Sequence, residues 1–383
     1  MIDNKTVFKI AQDYGTPTYI YKLEHIQNNI AKLNKYLPNA TILYAVKANP
    51  NGAILKFLAQ NNVGAEVISL GELARALKAG INPNNISLDG PRQDPELILA
   101  AIKAGIKWVS LDSYSQWQLW QQFDYSNLKF FIRLNPDLDP KTHQHLATGA
   151  AESKFGMTLE ETHIVAKDLK ANGRLAGFHV HAGSQISDFT VYDEVLARLK
   201  PLFEKYGGEY INIGGGFHVP DFDFEAFATI MHDFTNSLDL KIVTEPGRYL
   251  VADSGFLLTK VLHKKTGALK HLICDAGMAD LIRPALYNGV HPITAIAKSG
   301  NETIYDVDGP LCENADRLAR GIKLPDLDSG DLLLVSQVGA YGFTMSSNYA
   351  SSFRPAEIVL TKNGTKLVKK RETVEDLLRL ELD

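Results

Sequence analysis

The chain has 383 residues, 45% hydrophobic and 22% charged, with a formal net charge of −4 spread over interspersed signs. That is the composition of a folded globular protein of two or three domains at about 150 residues each. It excludes wholesale disorder and gives no electrostatic case for binding nucleic acid or an anionic membrane surface. No run reaches the ~18–20 apolar residues of a membrane span, and the opening MIDNKTVFKIAQDYGTP lacks an apolar signal-peptide core, so the expectation is a cytoplasmic protein. Two cysteines, Cys274 and Cys312, make neither a disulfide framework nor a Cys-rich zinc site, and no metal is expected.

In chain order, TPTYIYK (16–22) reads as a first strand, best placed to join a sheet built from later residues. Short β-branched runs then recur at 41–47 (TILYAVK), 65–69, 85–89, 107–112, 129–135, 175–181, 210–213 and 241–245. Between them lie segments of helical period, such as GELARALKAG and DEVLARLKPLFEKYG, the latter closed by Gly207 and Gly208. Eight strand–helix units predict a parallel sheet closed into a (β/α)8 barrel. After about Tyr249 the period changes to two, in FLLTKVLHKK, HLICDAG, ETIYDVDG, DLLLVSQVG, EIVLTKNG and TKLVKK. The expected fold is therefore α/β: a barrel over 24–249, and an antiparallel β-barrel or sandwich domain from 1–23 plus 250–383 that completes the active site.

Nearly every barrel strand ends in a polar or glycine-rich cluster: KANPNG, SLGE, DGPR, DSYS, LNPD, HAGSQ, GGGF, EPGR. In a parallel barrel those ends converge on one mouth, where active sites sit. Lys47 lies in YAVKAN. A lysine at a strand end is ordinarily solvated, but flanking by Tyr44, Ala45, Val46 and Ala48 predicts a desolvated amine of lowered pKa, as a Schiff-base lysine needs. Gly214, Gly215 and Gly216 follow the seventh strand and Gly183–Ser184 the sixth. Successive glycines suit a turn and equally free backbone N–H groups for a phosphate, which Ser184 and Arg248 favour. Glu245, ending the eighth strand, can pair with a cation or hold the proton of a pyridine nitrogen. His181 is either a hydrogen-bonded filler or an imidazole stacked on that ring.

With these motifs, RLNPDLDPKTHQHLATG followed by SKFGM, GMADLIRPALY, GPLCENAD and GAYGFTMSSNY, the chain resembles the fold-type III pyridoxal-phosphate-dependent decarboxylases. These share the alanine racemase barrel, and within them the pattern is most like the diaminopimelate decarboxylase family. The resemblance implies pyridoxal 5'-phosphate (PLP) as cofactor and decarboxylation of meso-2,6-diaminopimelate to L-lysine, a step of lysine biosynthesis, in a homodimer with shared active sites. It makes Lys47 the Schiff-base lysine and His181 the ring-stacking imidazole. Ser184 and Gly214–Gly216 become the phosphate cradle, and Glu245 the pyridine-nitrogen partner. Gly247, Arg248 and Tyr341 fall at the cofactor, and Arg248, Arg283, Tyr287 and Tyr341 at the substrate. Cys312 becomes the proton donor and Glu313 the partner of the substrate's far ammonium, both reaching the neighbouring subunit's site.

The pattern departs from that family at three places: DGPRQDPEL lacks the usual lysine-containing G-N-x-K, Asn314 stands where Ser or Thr is usual, and in YASSFRP one arginine is missing or displaced. These leave open a related decarboxylase acting on another diamino acid or amino-acid conjugate, in a siderophore, antibiotic or polyamine pathway. An amino-acid racemase would place an arginine where Glu245 stands, and a non-catalytic PLP-binding homologue would lack Lys47 or Cys312.

Overall fold

A computed structural model describes residues 2–136 and 153–382. The chain divides into two compact units, Asn28–Leu250 and Met1–Gln27 with Val251–Asp383. It opens with helix α1 (Asn4–Tyr14), strand β1 (Thr18–Lys22) and helix α2 (Leu23–Tyr36). Helix α1 lies outside the expected elements, yet its start is well marked: the Asp3 side chain accepts from Thr6 N at 2.9 Å, and Val7 and Ile10 recur on one buried face.

Eight strands follow: β2 (Thr41–Ala45), β3 (Gly64–Val67), β4 (Ile86–Leu88), β5 (Trp108–Leu111), β6 (Lys129–Arg133), β7 (Leu175–His179), β8 (Tyr210–Asn212) and β9 (Lys241–Thr244). They close a parallel barrel in sequence order, β9 pairing β2 through Thr41↔Val243 and Ile42↔Thr244. Helices separate most neighbours, among them α3 (Gly52–Gln60) and α4 (Leu70–Lys78), the latter capped by Ser69 accepting from Glu72 N. Leu43, Trp108, Phe131, Ala176 and Val243 fill the barrel's interior, where Trp108 and Tyr210 meet edge to face at 5.4 Å.

The strands are shorter than the apolar runs imply. Each ends before its polar cluster, so Lys47, Asp89, His181 and Glu245 all lie one or two residues beyond the last paired position. Polar side chains and turns take over there because the parallel ladder has no further partner. Val46–Ala48, carrying Lys47, forms a single 3₁₀ turn.

The other unit contains β10 (Gly255–Thr266), β11 (Lys270–Cys274), β12 (Ile293–Ala295), β13 (Glu302–Asp308), β14 (Arg317–Pro325), β15 (Leu332–Ser336), β16 (Ala356–Thr361) and β17 (Gly364–Lys369). With β1 they make a nine-stranded, mostly antiparallel sheet ordered β14-β13-β11-β10-β1-β16-β17, with β15 joining β10 to β12. TPTYIYK thus joins the later strands as its pattern implied, antiparallel to β10 and parallel to β16. That pairing and β11 with β13 are the parallel exceptions to the antiparallel expectation. Its core gathers Ile10, Ile20, Phe256, Leu258, Leu334 and Ile358, residues from both ends of the chain.

Candidate active site at the barrel mouth

Lys47 Nζ donates to Glu66 Oε2, in β3 next door. Glu66 is 3% exposed and the lysine side chain 41%. The expected desolvation by Tyr44, Ala45, Val46 and Ala48 is therefore not what surrounds the amine. Those neighbours are buried around the turn, Tyr44 donating from its hydroxyl to Asn49 O at 3.1 Å, while the amine projects to a carboxylate. The amine is thus paired with a buried carboxylate one strand over.

The turns after β7 and β8 pack on each other. Gly215 N donates to His181 Nδ1 at 3.3 Å, and Ile186 N to Gly216 O at 2.8 Å. Gly214 and Gly216 have φ of 61° and 91°. A Cβ on the first would come within 2.6 Å of His181 Nδ1 and on the second within 2.1 Å of Gly183 O, so only glycine fits both. The surrounding protein, with the charges of Arg133 and Lys47, pushes His181 down to about 3, leaving a neutral imidazole whose Nδ1 accepts.

Glu245 lies just past β9, where Asn212 at the end of β8 donates Nδ2 to its Oε1 at 2.5 Å. Burial, then the charge of Glu66, raises it to about 7. Two residues on, Gly247 sits so close to Ala45 and Ala48 that a Cβ would lie 3.0 and 3.1 Å from theirs, which holds EPGR against the Lys47 turn. Arg248 follows directly, and Ser184 is exposed one residue after Gly183.

Several members of this cluster are not among the residues expected from sequence: Glu66, Asp89, Arg133, His179 and Asn212. Asp89, His179 and Glu245 bring one ligand-type atom each to within 4.8 Å of one another, all buried. Arg133 Nη1 pairs with Asp112 Oδ1 at 3.2 Å, and its charge reaches His179, His181 and Glu245. The available signal was position: each is a polar residue at or just past the end of a barrel strand or, for Glu66, one residue before it, in GAEV, SLD, FIR, FHV and YIN. Of the RLNPDLDPKTHQHLATG motif, residues 137–149 lie outside the described residues.

The remaining expected site residues belong to the nine-stranded unit. Arg283 opens a short helix (Arg283–Tyr287), its guanidinium 5.7 Å from the Tyr287 ring centroid, and feels the Tyr341 hydroxyl. Asp316 ties two loops together, accepting from Met278 N at 2.5 Å and Leu311 N at 2.6 Å. The second loop carries Cys312 exposed, whereas Cys274 is buried and its thiol pushed up to about 12 by that burial. Glu313 Oε2 accepts from Tyr349 OH at 2.9 Å.

The family described as pyridoxal-dependent decarboxylase, pyridoxal binding domain, matches residues 23–252. A diaminopimelate decarboxylase of Deinococcus radiodurans is 37% identical, each chain covered to 97%, and one of Aquifex aeolicus is 35% identical over 100% of this chain and 95% of its own. Among solved structures, the diaminopimelate decarboxylase of Helicobacter pylori complexed with L-lysine superposes with a TM-score of 0.91 at 33% identity, 98% of each chain being covered. Its M. jannaschii counterpart, in co-complex with L-lysine, gives 0.89 at 30%, over 98% of this chain and 94% of the other. By extent of match and by the barrel it encloses, this chain belongs to the pyridoxal-dependent decarboxylase family, together with the diaminopimelate decarboxylases.

Proposed function

We propose that the protein binds PLP at the barrel mouth and decarboxylates meso-2,6-diaminopimelate to L-lysine, as a cytoplasmic homodimer. The observation that carries this reading is the convergence at one mouth of a lysine amine, a turn that only glycine fits, and a buried acid held by Asn212. These residues fit the cofactor on chemical grounds. The amine can bond an aldehyde, the glycine turn admits a phosphate close to backbone, and a buried acid can pair with a pyridine nitrogen. When bound, PLP supplies an electron sink for the electron pair released with CO2.

The chain's own groups do the rest. Glu66 takes up and returns the Lys47 proton as the amine is engaged and displaced. His181, neutral and hydrogen-bonded through Nδ1, offers its ring face without adding charge. Glu245 keeps a proton on the ring nitrogen, its low-dielectric position strengthening that interaction. Ser184 and Gly214–Gly216 hold the phosphate, with Gly247 and Arg248 beside them. Arg248, Arg283, Tyr287 and Tyr341 hold substrate carboxylates. Cys312, on its exposed loop, returns a proton to the carbon, and Glu313, steadied by Tyr349, receives the distal ammonium; both serve the neighbouring subunit's site. The Glu313–Tyr349 pair gives the amine end of the substrate a built carboxylate, which favours a diamino acid over a monoamine.

Borohydride reduction of PLP-loaded protein, digestion and mass spectrometry test the cofactor assignment. Phosphopyridoxyl label on the Lys47 peptide supports it; label elsewhere, or none, overturns it.

A further inference from the structure

Beneath Glu245 lies a string of buried groups that the roles above leave unused. His179, the last residue of β7, is 1% exposed, and Asp89, just past β4, 3%. Each ring nitrogen of His179 faces one carboxylate: Nδ1 lies 3.5 Å from Asp89 Oδ2, and Nε2 lies 3.6 Å from Glu245 Oε2. Neither separation is a formed hydrogen bond, and Asp89 Oδ2 and His179 Nε2 have no hydrogen-bond partner among the described residues. The other atoms are anchored. Ser87 Oγ donates to Asp89 Oδ1 at 2.6 Å, Ser110 Oγ lies 2.6 Å from His179 Nδ1, and Asn212 holds Glu245 Oε1.

A neutral imidazole carries one N–H, so His179 can donate toward Glu245 or toward Asp89 but not both. Burial, then the charges of Arg133, His181 and Lys47, keeps His179 neutral. Burial, then the charges of Glu245 and Glu66, holds the Asp89 carboxyl well above the usual carboxylate range, with Lys47 opposing. Asp89 therefore keeps its proton to higher pH than an exposed carboxyl does. While it is protonated, Nδ1 is free to accept from Ser110 or Asp89, and the N–H sits on Nε2, facing Glu245. Once Asp89 ionises, its charge draws the N–H toward Nδ1, against the pull that an ionised Glu245 exerts on Nε2.

We propose that Asp89 is a positioning residue which, by its own charge, decides which nitrogen of His179 bears the proton, and so whether Glu245 is buttressed by a donor when it holds the ring nitrogen of PLP. The inference rests on the reading of Glu245 as that partner. Asp89 opens the DGPRQDPEL stretch that follows β4.

The test follows the ¹⁵N signals of His179 in cofactor-free protein labelled on histidine, assigned by their loss in His179→Gln. As pH rises, the proton of the wild type is expected to move from Nε2 to Nδ1, while Asp89→Asn, which cannot ionise, stays on Nε2 throughout. Across the same pH interval the PLP dissociation constant should rise by about tenfold in the wild type and stay within about threefold in Asp89→Asn. A wild-type tautomer that does not move with pH overturns the inference without need of any variant. Identical pH profiles of the dissociation constant in the two proteins also overturn it. Failure of either protein to bind PLP overturns the reading of Glu245 instead, and leaves the tautomer measurement to decide the inference on its own.

Discussion

Lys47 and Glu66 form an ion pair across adjacent strands, the amine on the turn after β2 and the carboxylate within β3. Glu66 thereby acts on two groups: it partners the amine, and its charge is the leading influence after burial that raises Glu245. Glu66→Gln should lower turnover by roughly 10–100-fold through the lost proton acceptor, and at the same time let Glu245 fall from about 7 toward 4.5. A pH–rate profile checks both at once: lower throughout, with its acid limb displaced to lower pH. A profile reduced in height but unmoved would separate the two roles.

The raised Glu245 also marks the stability of the cofactor-free protein. An acid whose folded pKa stands above its unfolded value contributes stability that is fully present below 4.5 and lost as pH rises through about 7. Glu245→Gln cannot ionise, so the melting temperature of the variant relative to wild type should climb in the variant's favour across that window and level off on either side. Thermal melts of the two proteins at a series of pH values measure it; a constant difference would mean that Glu245 is not held protonated by the fold.

Much of this architecture was legible because two periods of hydrophobicity alternate cleanly. β-branched runs of four to seven residues separated by helical stretches imply a parallel barrel, and the change to period two after Tyr249 implies a second sheet. Residues whose chemistry is announced by a motif, Lys47 in YAVKAN and Glu245 in EPGR, could be singled out in one dimension. Glu66, Asp89, His179 and Asn212 were marked only by their place near a strand end; what makes each matter is a partner on another strand, next door for Glu66 and Asn212 and two or three strands away for His179, brought close only by closure of the barrel. The setting of Lys47 differs from the expected one for the same reason: its sequence neighbours are apolar, but its spatial neighbour is Glu66.

The glycine turn after β8 predicts a sharp dissociation between fold and cofactor. Gly216→Ala puts a methyl 2.1 Å from Gly183 O at a φ of 91°, which should destabilise the protein by ~1–3 kcal/mol and weaken PLP binding further by spreading the HAGSQ and GGG turns. Thermal melts and PLP titration of the cofactor-free variant measure the two effects. Unchanged PLP affinity would remove this turn from the phosphate site.

The two cysteines should behave oppositely. Cys274→Ala empties a buried position and should cost ~1 kcal/mol of stability with activity retained. Cys312→Ala, at an exposed position, should leave the melting temperature almost unchanged and lower turnover by ~10²–10⁴. If Cys312 serves the neighbouring subunit, mixing inactive Lys47→Ala with inactive Cys312→Ala and allowing subunits to exchange should restore about a quarter of the wild-type sites. Assays of CO2 release before and after mixing check this; no recovery, with subunit exchange verified, would place both residues in one subunit's site.

The most direct measurement is the product balance of PLP-loaded protein offered meso-2,6-diaminopimelate, lysine, ornithine and carboxylated polyamine precursors in parallel. The account predicts one CO2 and one L-lysine per meso-2,6-diaminopimelate consumed, and little release from the others. CO2 from one of the other amino acids but not from meso-2,6-diaminopimelate would contradict it.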